Sequence, residues 1–181
     1  MRFPVPSKDD FTPAQRRVAD SIAAGPRGEL RGPFLALIHS PELAERVQKL
    51  GEYLRFDTKF SARLTELGVL LVARKHQSAN VWHSHRALAL TAGLDPKIIA
   101  AIAARHRPGR MSKEESHVYD FCSDLIRRGD VSDEHFEKVV GVWGQGGAAD
   151  LIALVGYYTM LSQVYNVSHF PLPDGGIPFQ P

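Results

Sequence analysis

Residues 63–94 read RLTELGVLLVARKHQSANVWHSHRALALTAGL, and this stretch decides the fold. Its first half belongs to a run, Phe60 to Lys75, that is apolar on nearly every face, as expected of a helix buried at the centre of a helical protein. Ser78 can cap a second helix that runs to Ala92 and stops at Gly93, a residue suited to the position just past a helix end. The joining segment, Lys75 to Ser78, is short enough to make the two helices antiparallel neighbours. Into this apolar pattern the chain sets Glu66 and His85, nineteen positions apart. Burying an ionisable side chain is costly unless it has a partner, and on adjacent helices these two could be each other's partner. A coupled carboxylate and imidazole is a ready acid/base pair near neutral pH.

Working outward, helix signals recur along the chain. Thr12-Pro13 offers an N-cap followed by proline, and the pattern from Pro13 to Ala24 ends at Gly25-Pro26. A loop leads to a short apolar turn, Phe34 to His39, and Ser40-Pro41-Glu42 opens a helix through Tyr53. Asp95-Pro96 caps a helix through Arg105. Ser112-x-x-Glu115 is a capping box for an amphipathic helix that reaches Arg128 and ends at Gly129. Ser132 to Val142 follows, then a flexible break at Gly144, Gly146 and Gly147, then a long apolar helix from Asp150 to Val167. The stretch PLPDGGIPFQP, residues 171–181, predicts an irregular tail over the surface or a neighbouring subunit. No segment alternates as a strand does. The expectation is a single all-α domain over residues 1–181, with about seven or eight helices and residues 1–31 as an N-terminal extension carrying the first of them.

Composition narrows the function. The chain has 181 residues, 44% hydrophobic and 23% charged, ordinary proportions for a globular protein. Net charge is +2 without any Lys/Arg-rich block, which argues against nucleic acid and anionic membranes as partners. The single cysteine, Cys122, excludes an intrachain disulfide and a Cys-x-x-Cys motif. The first residues lack the pattern of a signal peptide, and no uncharged apolar run is read as long enough to span a bilayer, so a cytoplasmic location is expected.

On the second helix Val81, His85, Leu88 and Ala92 are read as one inward face, with Trp82 beside it. An inward histidine is often only a hydrogen-bonded core residue, and Glu66 has Arg63 three positions back as another partner. His83 and His85 form a His-x-His, but positions two apart on a helix do not face one another, so no metal is expected. The sequence carries no cofactor motif. Cys122, among apolar neighbours, reads as a small hydrophobe. Gly144-Gln145-Gly146-Gly147 lacks the lysine and preceding strand of a phosphate loop.

At these residues the chain resembles the carboxymuconolactone decarboxylase family, within the alkylhydroperoxidase D-like superfamily. Three blocks carry the resemblance: Gly32 to Phe56, Arg63 to Leu94, and Leu151 to Gly175. The peroxidase branch has a glutamate, cysteines at +12 and +15, and a histidine at +19. Counted from Glu66, those positions hold Ser78, Val81 and His85. Both cysteines are replaced, so thiol chemistry does not carry over, and the pattern is similar to the cysteine-free, decarboxylase-like branch. The resemblance implies a cofactor-independent lyase acting on a small anionic lactone or keto acid. It implies His85 as proton donor, Glu66 orienting it, Ser78, Trp82 and Val81 as pocket residues, and Arg74 as a carboxylate anchor beside Arg63 and Arg86. It also implies a homo-oligomer, a trimer or hexamer. The residues ahead of the resembling blocks could reshape the pocket mouth or a subunit interface. Two alternatives remain: a non-catalytic ligand-binding or assembly protein on the same core, and a residual peroxide reductase using Cys122.

Overall fold

Side-chain hydrogen bonds within the first turn fix where α-helices begin at Thr12, Asp95, Ser112 and Ser132. The computed structural model describes residues 1–172, 178 and 179, and among these it contains helices and loops but no strand. After a 3-10 turn at Lys8–Asp10 come α1 (Pro13–Ala24), α2 (Phe34–Leu37), α3 (Pro41–Phe56), α4 (Ala62–Lys75), α5 (Ala79–Thr91), α6 (Pro96–Ala103), α7 (Lys113–Arg128) and α8 (Asp133–Ser168). Thr12 and Gln15 form a reciprocal capping box at α1, and Ser112 and Glu115 form another at α7. Asp95 accepts from the Lys97 backbone N–H at α6. The all-α expectation holds.

α4 is the central element, with Leu64, Leu67, Val69, Leu70, Val72 and Ala73 buried and α5, α7 and α8 packed around it. Burial on all sides is what an all-apolar helix requires, since it has no polar face to give to water. α1 and α3 pair beside this core.

Three local expectations change. The glycine cluster is not a multi-residue break: Gly144 alone leaves helical geometry, at φ 75 and ψ 179, and α8 continues on both sides of that kink. One residue in the left-handed region suffices to turn the axis, and glycine adopts it without strain. α8 also corrects the reading of apolar runs. Residues 151–168 contain no charged side chain, and by length and composition α8 could cross a membrane. Here its Leu151, Leu154, Tyr157, Tyr158 and Leu161 are buried in the protein's own core. On α5 the inward stripe is Ser78, Val81, Trp82, His85 and Ala89, because Ala89 is fully buried while Leu88 is 39% exposed. Of the expected tail, residues 173–177, 180 and 181 lie outside the described residues. Phe179 is described, with its ring centre 5.8 Å from that of Trp82.

A buried carboxylate locks the α7–α8 turn. Asp124 accepts hydrogen bonds from His135 Nδ1 at 2.7 Å, Ser132 Oγ at 3.1 Å and Arg128 at 3.0 Å. Burial alone would raise its pKa, but the hydrogen bonds from His135 and Ser132 and the charge of Arg128 prevail and hold it at about 2, against an ordinary 3.8. A depressed folded-state pKa contributes stability that is complete above the unfolded value and lost as pH falls through the folded one. Asp124→Asn is therefore expected to lower unfolding free energy by about 2 kcal/mol at neutral pH. In urea titrations that difference should shrink below about pH 4 and vanish near about pH 2.

Candidate active site

Glu66 sits mid-helix on α4 and His85 in the second turn of α5, and the antiparallel packing of the two helices brings them together. His85 Nδ1 lies 2.6 Å from Glu66 Oε2, with the two side chains only 12% and 7% exposed. A carboxylate can only accept here, so Nδ1 carries the donated proton and Nε2 is left as the reactive edge. Nε2 has no hydrogen-bond partner among the described residues. The Tyr158 ring meets the imidazole edge-on at 4.9 Å and fixes its plane. Arg63, expected as a rival partner for Glu66, instead pairs with Glu115 at 2.6 Å. The reciprocal cap at the start of α7 holds Glu115 in place for it.

His85 opens onto a cavity of about 670 Å³ whose lining includes Val81, Asn80, Arg27, Arg31 and Arg55. Arg27 donates to the Tyr157 hydroxyl at 3.2 Å and lies over the Phe34 ring at 4.7 Å. Arg55 lies over the Phe56 ring at 4.9 Å. Both are half-buried, and neither has a carboxylate partner among the described residues. Gly51 makes room for this arrangement. A Cβ there would come within 2.0 Å of the Tyr157 hydroxyl oxygen and 2.5 Å of an Arg27 nitrogen. Two partly desolvated guanidiniums give this cavity a positive lining.

The expected site residues divide. His85 and Val81 line the cavity, and Glu66 stands behind His85. Ser78 and Trp82 are buried, at 0% and 1% exposure, and do not line it. The Ser78 Oγ has no hydrogen-bond partner among the described residues, so it does not cap α5 through its side chain. Arg74 points to a different cleft, where its Nε donates to the Ala103 carbonyl at 2.7 Å. Arg63 and Arg86 are absent from the lining as well. The cations that do face His85 come from elsewhere: Arg27 and Arg31 from the α1–α2 loop, and Arg55 from the last turn of α3. Thus residues 1–31 do contribute to the pocket mouth. Nothing local in the sequence marks these arginines, which lie 30 to 58 positions before His85.

Cys122 is fully buried and its thiol is pushed up to about 12 by that burial. A thiolate is the reactive form, and this side chain neither ionises near neutrality nor lines the His85 cavity. Among the described residues no three His, Cys, Asp or Glu side chains converge as a metal site would require.

No protein-family model matches the chain, and no curated protein matches it. Among solved structures it is similar to a crystal structure of an alkylhydroperoxidase AhpD core, an uncharacterized peroxidase-related protein from Ralstonia eutropha JMP134. The TM-score is 0.77 at 17% identity, over 98% of this chain and 97% of that one. At that identity the likeness shows the fold alone: this is an AhpD-like helical arrangement.

Proposed function

We propose that the chain is a cofactor-independent lyase of the carboxymuconolactone decarboxylase kind, acting on a small anionic lactone or keto acid. The observation that carries this reading is the Glu66–His85 hydrogen bond, which leaves Nε2 at a cavity bordered by arginines. Loss of CO₂ leaves an electron pair that a conjugated carbonyl of the substrate can accept, so no external electron sink is needed. The resulting enolate then takes a proton on carbon from His85 Nε2, and the ring recovers one from water. Glu66 holds Nδ1–H throughout, fixing the ring and stabilising its doubly protonated form. Tyr158 keeps the imidazole plane aimed at the cavity. Val81 contributes apolar wall.

Arg55 and Arg27 anchor a carboxylate that stays on the substrate. Pairing the departing carboxylate with a guanidinium would stabilise the ground state and slow its loss. A homo-oligomer belongs to the same proposal, and Leu88 and Leu90 on α5, with Leu50 and Tyr53 on α3, are exposed apolar side chains it could cover.

A panel of carboxylated lactones and β-keto acids, assayed for CO₂ release, tests the reading. Absence of release across the panel would count against it. With an active substrate, Arg55→Met is expected to raise KM by about 10- to 100-fold with a smaller change in kcat, because the lost contact is made in both ground and transition states.

A further inference from the structure

We infer that a second cleft, between the C-terminal end of α4, the α6–α7 loop and α7, binds a compact polyvalent anion that carries an apolar group. The cleft encloses about 550 Å³ and shares no lining residue with the His85 cavity. Five cations line it (Arg74, Lys75, Arg105, Arg107 and Arg127) with one carboxylate, Asp120, and Arg127 is paired at 3.2 Å with Asp124 outside the lining. The Asp120 carboxylate is already engaged, since Arg107 donates to its two oxygens at 3.2 and 2.9 Å. Lys75 and Arg105 are in no ion pair among the described residues. Burial, and after it the neighbouring Arg105 charge, push the Arg74 pKa down. Leu71, Ile102, Tyr119 and Ile126 give the cleft an apolar floor, which a bare inorganic ion would leave uncovered.

The backbone supplies independent support. α5 and α7 end on glycines in the left-handed region, Gly93 at φ 83 and Gly129 at φ 73. At the corresponding places after α4 and α6 the chain has Gln77 at φ 50 and Arg105 at φ 62, and both line this cleft. A third non-glycine residue with positive φ, Phe179, places its ring under the Arg74 guanidinium at 4.7 Å. His169, the remaining one among the described residues, ends α8. Left-handed geometry is disfavoured for residues with a Cβ, and such residues cluster at ligand clamps. Favourable interaction of cations with helix C-termini explains Lys75, and Arg74 on the Ala103 carbonyl. It does not explain Arg105, because glycine would close α6 equally well without strain. What glycine would remove is the guanidinium.

The test is calorimetric titration of the full chain with inorganic pyrophosphate, citrate and ADP, at low salt and at high salt. Pyrophosphate against citrate separates phosphate from carboxylate recognition, and ADP against pyrophosphate reads the apolar floor. Expected is binding at about millimolar or tighter that weakens with salt, with ADP tighter than pyrophosphate. Arg105→Gly should weaken it about tenfold or more while raising Tm by about 2 °C, since the strain is relieved. Arg46→Ala, an exposed arginine on α3, controls for general charge and should leave affinity unchanged. The inference is overturned by no binding of any probe up to about 10 mM. It is equally overturned by unchanged affinity in Arg105→Gly, by a fall in its Tm, or by loss of binding in Arg55→Met instead.

Discussion

His85→Ala is expected to lower kcat/KM by about 10³-fold or more, the range assigned to a positioned proton donor. The other titratable groups that line the cavity are arginines, the exposed His83 and Met1 amino group, and the partly buried Tyr165, and none of them is held by a buried carboxylate as His85 is. Burial pushes the Tyr165 hydroxyl up to about 12, too weak an acid to substitute. Glu66→Gln should fall less far, by about 10²-fold, since glutamine still accepts from Nδ1–H but cannot balance a charged ring. The stability readout separates this account from a structural ion pair. An isosteric acceptor preserves the buried hydrogen bond, so Glu66→Gln should change unfolding free energy by about 1 kcal/mol or less. A loss of about 3–5 kcal/mol from either variant, with turnover intact, would make the pair a structural element instead.

Tyr158→Ala carries the largest stability effect expected, about 3–5 kcal/mol in urea unfolding. Its ring is 2% exposed, meets His85 edge-on, and stands 5.2 Å from the Tyr157 ring at 81°. Deleting it leaves a void between α8 and the α4–α5 pair and removes the surface that fixes the imidazole plane, so turnover should fall with stability. Tyr158→Phe keeps the packing and is expected to cost about 1 kcal/mol or less. A large loss in the phenylalanine variant would show that the hydroxyl, not the ring, matters.

What the sequence made legible was local. The caps at Thr12, Asp95 and Ser112 depend on hydrogen bonds spanning two or three residues, so residue type and spacing suffice to place them. The Glu66–His85 pair was legible for a similar reason: a three-residue connection leaves two helices little choice but to pack side by side. The face of α5 was less legible. Apolar residues at 87–90 satisfy more than one helical stripe, and contact with α4 and α8 selected Ala89 over Leu88. Pairing across long separations was not legible at all. Arg63 finds Glu115, 52 positions away, in preference to Glu66 three positions away. Arg27 reaches Tyr157 across 130 positions, and so the pocket cations come from the α1–α2 loop and α3 and not from the neighbourhood of the motif. The glycine cluster in α8 misled because composition does not say which glycine takes the left-handed conformation.

The measurement that bears most directly on the central claim is product analysis in D₂O. A carboxylated lactone or β-keto acid turned over by the wild-type chain should release CO₂ and gain one deuterium at the carbon that lost the carboxylate, in equal amounts. With variants folded to the same extent, His85→Ala should show neither within the same time and Glu66→Gln only about a hundredth of both. Equal CO₂ release and deuterium uptake by wild type and both variants would contradict the assignment of Glu66 and His85 as the reacting pair.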